Sequence, residues 1–333
     1  MVNISLVTSL YRASDHLDTY THLAHLLAAE LQAADLSLEI IVIANDPTEI
    51  EQQQIQALAA VLDSIPTAQL VVQTVPRETI YASWNRGFSA ARGLCIGPWN
   101  VDDRRTSPAL IEGHHLIAEA CRLVYFPYTV VQFHTVRGIF TFKERGHYPA
   151  LPFDRETFAR AMRGASFWLC HRDLYARAGP FDSHFHIAGD FEWVTRALAL
   201  TELCPGTKPA GEFHLHGHNL SDTGNPLQNV EENIVHLRRG TWDWLVPAEP
   251  DMMRACWIEW GNPGIDLPDA IQDQLWGPGA PEQWHSWQRS RAQARRRKLR
   301  SKVLRSIPRW IIDRTGLRPY LARWGIVKSA AAD

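Results

Sequence analysis

The 333 residues are about 45% apolar, enough to bury the core of one large or two small domains and too apolar for a disordered chain. A formal net charge of -2 conceals an asymmetry: residues 1–288 carry 20 Lys and Arg against 34 Asp and Glu, whereas 289–333 carry 14 against 2, so an acidic body precedes a basic tail. Five cysteines, widely spaced and without a C-x-x-C pair, argue against a disulfide framework or zinc ribbon and for a reducing cytoplasm; no run approaches the roughly 20 apolar residues of a membrane span, and the first residues read as a strand rather than a secretion signal.

Along the chain, "NISLVTSL" (3–10) reads as a strand, and 15–34 as a helix with Leu17, Leu23, Leu26, Leu27 and Leu31 at helical spacing. The pattern repeats: "LEIIVIA" (38–44), a polar turn, and the Gln- and Ala-rich helix 48–64; "AQLVVQTV" (68–75) and a helix over 79–92; then "GLCIGPW" (93–99) leading into Asp102-Asp103. Strands alternating with helices imply right-handed β-α-β units, hence an α/β fold with a Rossmann-like, mainly parallel sheet flanked by helices. In such sheets ligands gather outside the carboxyl ends of the strands. Thr8, Ser9 and Tyr11, Asn45 and Asp46, and Asn100 to Asp103 all fall at such ends.

After residue 122 two strand-like runs suggest a hairpin or strands packed beside the sheet, with a loop at 145–154. Residues 165–182 read as a strand, a short helix and a Gly-Pro turn, and 189–200 as a helix whose acidic first turn suits its dipole. On that helix Glu192 and Arg196 are spaced to pair. From 241 to 288 Trp, Pro and Gly punctuate the chain, which predicts irregular packing with short helices; 289–307 is a basic helix, and Pro308 and Pro319 open further segments. The expected division is 1–240, 241–288 and 289–333.

Adjacent Asp102 and Asp103 repel, so they are solvated, paired with Arg104 or Arg105, or holding a cation. His214, His216 and His218 alternate as on one strand face; with His184 and His186 they could build a zinc site, or they are ordinary solvated histidines.

The ordered pieces "ISLVTSLY", "EIIVIAND", "ASWNRGFSAARG", "PWNVDD", "AGDFEW..R" and "FHLHGHNLS", spanning roughly residues 3–240, resemble a family 2 glycosyltransferase of the GT-A fold. The resemblance implies a hexosyltransferase-type enzyme, inverting and metal-dependent, that moves sugar from a nucleotide-diphosphate donor to a carbohydrate or lipid-linked acceptor of the polysaccharide or glycolipid kind. It implies Asp190 as catalytic base; Thr8, Ser9, Tyr11, Asn45, Asp46, Asn85, Arg92 and Asp102 at the donor; and Asp103 and His216 on a divalent Mn or Mg ion. His216 stands five residues before Ser221, as in the family pattern. The chain departs from that pattern at Ala44-Asn45, where the family commonly has two acidic residues, and at Asn100. Asn45-Asp46-Pro47 can equally cap the next helix, and Gly93 can end the helix before it. A non-catalytic module of the same fold stays open beside the enzyme, and so does a sugar nucleotidyltransferase, although "TSLYRAS" lacks the glycine-rich phosphate loop of that class.

Residues 289–305 carry nine Lys or Arg, with Leu299, Val303, Leu304, Ile307, Trp310 and Ile311 recurring at helical intervals. Such a segment suits an anionic membrane surface over 289–328, which would put a cytoplasmic enzyme at the inner membrane face. Docking on the acidic body is the alternative, and nucleic acid is less favoured.

Overall fold

The structure, a computed structural model, describes residues 2–136, 139–160, 167–216, 219–220, 225–262 and 264–276. The chain forms two units, residues 1–252 and 253–333. The expected basic helix, and the Trp-rich segment beyond residue 276, lie outside the described residues.

The first unit opens with β1 (Ile4–Leu10), α1 (Ser14–Ala33), β2 (Leu38–Asn45), α2 (Glu49–Asp63), β3 (Ala68–Val75), α3 (Ile80–Ala90) and β4 (Cys95–Pro98). Almost every residue of β1 and β2 is buried, as expected of central parallel strands covered on both faces, whereas β3 at the sheet edge is only partly covered. Helix α1 buries Leu17, Tyr20, Ala24, Leu27, Ala28 and Leu31. Leu23 is only partly buried and Leu26 is exposed, so the expected stripe is rotated toward Tyr20. Helix α2 is capped by Thr48 and Glu51 in a reciprocal box, not by Asn45 or Asp46.

Next come β5 (Arg104–Arg105), α4 (Ser107–Glu119), β6 (Leu123–Tyr125), β7 (Tyr128–Val136), β8 (Ile139–Tyr148), α5 (Arg155–Arg160), β9 (Trp168–His171), α6 (Arg172–Ala178), α7 (Gly189–Ala197), β10 (Leu203–Pro205), β11 (Gly211–Leu215) and α8 (Pro226–Arg239). Seven strands form a sheet in the order β10-β6-β9-β4-β1-β2-β3, in which only β9 runs antiparallel to its neighbours. A four-stranded sheet, β5-β11-β7-β8, contains the expected hairpin β7-β8. Gly211 joins β11 to β5 with φ of +149°, and a Cβ there would stand 1.7 Å from the Arg104 carbonyl oxygen. Only glycine lets the two backbones meet.

Behind the sheet, Trp84, Phe88, Trp168, Tyr175, Phe181 and Trp193 pack as one aromatic cluster, with Trp168 and Trp193 stacked at 5.3 Å. Through Trp193, whose indole N–H donates to the Gly179 carbonyl at 2.9 Å, this cluster anchors α7.

The cysteine expectation is overturned. Cys121, two residues past α4, and Cys204, on β10, form a disulfide, while Cys95, Cys170 and Cys256 are free. Parallel pairing of β6 with β10 brings together residues 83 apart in sequence, a proximity that spacing does not reveal. The cysteines therefore no longer argue for a reducing compartment. Among the described residues no helix is long and apolar enough to cross a membrane.

In the second unit Trp257–Gly261 form one wide helical turn and Asp269–Trp276 a short helix, whose Gln272 amide donates to the Leu267 carbonyl at 2.7 Å.

Candidate active site

At the carboxyl ends of β1 and β4, the buried Thr8 hydroxyl donates to the Trp99 carbonyl at 2.8 Å and lies 2.7 Å from the Tyr20 hydroxyl. The Trp99 indole N–H donates to the Asp103 carbonyl, which folds 99–103 into a tight turn. That turn sends the two aspartates in opposite directions. Asp103 is 2% exposed; its Oδ1 accepts the His214 N–H at 3.3 Å and its Oδ2 the Asn100 amide at 3.1 Å. Its charge also acts on buried Arg105, whose pKa burial nevertheless pulls down to about 10.

Asp102 faces outward. Its Oδ2 lies 3.1 Å from His216 Nε2 and accepts the Asn219 amide at 3.2 Å, while Asn219 Oδ1 accepts the His216 N–H. Asp102, rather than Asp103, is thus the aspartate beside His216, because both Asp103 oxygens are already occupied. The 3.1 Å separation is that of a hydrogen-bonded pair; by chemistry, a carboxylate and an imidazole are ligands that a divalent transition ion accepts more readily than Mg does. His16, in the first turn of α1, packs on the His216 ring at 5.3 Å. His214 stands beside Glu212, and burial lowers its pKa. His184 and His186 are engaged by Asp182 and Glu231, and no group of three or more His, Cys, Asp or Glu forms a metal cage among the described residues. His218 and Ser221 lie outside them.

At the end of β2, Asn45 is buried and its amide is spent on the protein: Nδ2 donates to the Ser83 hydroxyl at 3.0 Å, with longer bonds to Ser9, Leu10 and Ile43, while Oδ1 accepts the Glu78 N–H. The site expected to read a base therefore ties β2 to α3. Asp46 accepts the Arg77 N–H, and Arg12 donates to its carbonyl; both Arg12 and Asp46 have left-handed backbones, φ 51° and 39°. Tyr11 presents an exposed ring with the Arg77 and Arg12 guanidinium carbons 4.4 and 5.0 Å from its centre. Such a ring offers a stacking surface for a planar ligand.

Asp190 is the second residue of α7 and is only partly buried. Its Oδ1 accepts the Phe191 N–H at 2.8 Å and faces the Tyr81 hydroxyl at 3.2 Å. Burial foremost, with the Glu231 charge adding, raises its pKa from 3.8 to about 6. It is ionised at neutral pH yet far more basic than a solvated aspartate, which is what a proton acceptor requires. Glu192 points elsewhere and forms the expected ion pair with Arg196 at 2.8 Å.

Two expected donor residues are not brought to this rim. Asn85 is a brace between α3 and the 175–181 segment: it donates to the Phe181 carbonyl and accepts the Tyr175 hydroxyl and Phe181 N–H. Arg92 lies at the amino ends of the strands, bonded to Glu39 and Gln69, because the turn after α3 returns the chain to the start of β4. Sequence reasoning missed Tyr81, Asn219 and Glu231. Only Glu231 carries a local signal, a carboxylate among Val230, Ile234 and Val235 on the buried side of α8.

No family model matches the chain, and no curated protein matches it by sequence. Among solved structures, S. aureus TarS 1-349 in complex with UDP-GlcNAc is similar at 12% identity and a TM-score of 0.52, over 82% of this chain and 70% of that one. TarS 1-349 in complex with UDP gives 11% and 0.50, over 82% and 78%. The mannosyltransferase PcManGT from Pyrobaculum calidifontis, in complex with GDP-Man and Mn2+, gives 13% and 0.49, over 87% and 84%. The class defined is one of fold: this chain has the α/β architecture of GT-A glycosyltransferases.

Proposed function

We propose that the protein is a glycosyltransferase that moves a sugar from a nucleotide diphosphate to an acceptor hydroxyl by a single inverting displacement. The observation that carries this reading is the placement of Asp190 at the head of α7, beside the Tyr81 hydroxyl, on a fold whose strand ends also bear the Asp102-His216 pair; burial raises the Asp190 pKa to about 6. Asp190 takes the proton of the acceptor hydroxyl; the freed oxygen bonds to the anomeric carbon while the bond to the diphosphate breaks, its electron pair leaving with the phosphate. A divalent cation, held by Asp102 and His216, would neutralise charge on that leaving group. Tyr11 stacks the nucleobase, and Asp103 keeps its neighbour directed outward by fixing the turn and the β11 backbone. Thr8, Ser9 and Asn45 act one layer below, holding the strand ends together. The acceptor is a carbohydrate or a lipid-linked glycan, and the basic 289–328 segment would bring the enzyme to an anionic membrane carrying it.

The test is thermal stability with MnCl2 and a panel of UDP-, GDP- and dTDP-sugars, wild type beside Asp102→Ala. A donor at 100 times its Kd stabilises the native state by about 2.7 kcal/mol. A manganese-dependent shift with one nucleotide class, absent from Asp102→Ala, is expected. Wild-type protein that responds to none of the donors, with or without manganese, overturns the reading.

A further inference from the structure

Glu231 is fully buried on α8 and makes three charge-assisted hydrogen bonds to backbone N–H groups. Its Oε1 accepts the His186 N–H at 2.7 Å, and its Oε2 accepts the Ile187 and Ala188 N–H groups at 2.8 Å each. These are the last three residues before α7, and the N-cap Ala188 offers that helix no side-chain cap. A buried carboxylate is costly unless satisfied, and this one is satisfied by the loop that aims Asp190. From the other side Tyr81, on α3, is hydrogen-bonded to the Ile187 carbonyl and faces Asp190 Oδ1. The Tyr81 ring also lies over Gly189, where a Cβ would come within 2.6 Å of it. Burial and the Asp190 charge raise the Tyr81 pKa well above its ordinary value, so the hydroxyl keeps its proton.

We propose that Glu231 and Tyr81 are positioning residues that clamp residues 186–190 between α8 and α3 and thereby set the orientation of the Asp190 carboxylate. The proposal rests on the glycosyl-transfer reading for its kinetic consequence but not for its structural one. The two halves of the clamp act on the proton affinity of Asp190 in opposite senses. The negative Glu231 raises it, whereas the hydrogen bond from Tyr81 favours the ionised form and lowers it. Among the described residues Tyr81 from α3 faces Asp190 directly, Glu231 from α8 acts on it by its charge, and Glu231 also faces His186, whose pKa it raises.

The experiment is a 13C titration of protein labelled at aspartate Cγ, with the Asp190 resonance assigned by its loss in Asp190→Asn. Glu231→Gln should move that titration to lower pH and Tyr81→Phe to higher pH. With an active donor, kcat should fall about 100-fold in Glu231→Gln and about 10-fold in Tyr81→Phe, with the donor KM within about twofold of wild type. A purely architectural role would loosen the loop in both variants and move both titrations the same way, toward the ordinary aspartate value. Such parallel movement, or no movement in either variant, overturns the clamp. If Glu231→Gln does not fold, an upward shift in the isosteric Tyr81→Phe supports the clamp, and an unchanged or downward one refutes it. Opposite shifts in a protein that turns over no nucleotide sugar would uphold the clamp while sinking the transferase reading. Turnover with unaltered kcat in both variants would do the reverse.

Discussion

Glu39, at the amino ends of the seven-stranded sheet, and Asp102 and Asp190, in the candidate site, are held in opposite ways. At the amino ends, Glu39 is fully buried and saturated: it accepts the Ser5 hydroxyl at 2.5 Å, the Arg92 N–H at 2.9 Å and the Arg92 guanidinium at 2.6 Å. At the carboxyl ends, Asp102 is held by an imidazole and an amide, and Asp190 by one backbone N–H and a hydroxyl whose proton is shared with a carbonyl. A carboxylate given a full complement of donors becomes a strut. One kept short of donors is left open to a ligand, and that difference separates individual groups, since Asp103 and Glu231 in and beside the site are as saturated as Glu39.

The sharpest way to break this contrast is Asp190→Asn, which should lower kcat by roughly 10²- to 10⁴-fold while donor-induced thermal shifts persist. In the wild type kcat/KM should climb as pH rises through about 6, because the ionised form is the base. The sign for stability is opposite. A folded-state pKa above the ordinary 3.8 means that the native state binds the proton more tightly than the unfolded chain, so ionisation costs stability between about pH 4 and 6. The Tm of Asp190→Asn relative to wild type should therefore improve between pH 4 and pH 8, and a constant difference would contradict the raised pKa.

Next in size is the Cys121-Cys204 link, which closes a span of 83 residues. Cys121→Ser should cost roughly 2 to 4 kcal/mol in urea unfolding with donor KM unchanged. Glu39→Ala should cost about 2 to 3 kcal/mol, less than a fully buried pair because Arg92 is half-exposed and screened. It too should leave donor KM unmoved, and a raised KM would mean that the amino-end rim reaches the ligand. The smallest effect is expected from Tyr11→Ala, whose donor KM should rise by about 10-fold through lost base stacking, with unfolding unaffected.

The strands and helices up to β4 were legible because short, β-branched apolar runs alternate there with longer stretches of helical spacing. Helices α4 and α8 and the three-residue β10 were not, the last because so short a strand has no period. At the candidate site, the residue types near the strand ends pointed to the rim on which Thr8, Asp102 and His216 are found together. What each side chain does there was less legible. The partition between Asp102 and Asp103 depends on β11 arriving from more than 100 residues away. Asn45 and Asn85 resemble ligand residues by position, but their amides are consumed by Glu78, Ser83 and Phe181, partners that no local pattern announces. Glu231 and Tyr81 hold the segment before Asp190 from two separate helices, so their relation exists only in three dimensions.

Gly211 gives the acidic rim a genetic signature. Every amino-acid replacement there brings a side-chain carbon into the space held by the Arg104 carbonyl. The mutation would act at the joint with β5, which together with the β7 pairing brings His214 to Asp103 and His216 to Asp102. In a saturation library selected for activity, position 211 should tolerate a single codon family, and suppressors of its alleles should map to the 104–105 backbone and not to the histidines themselves.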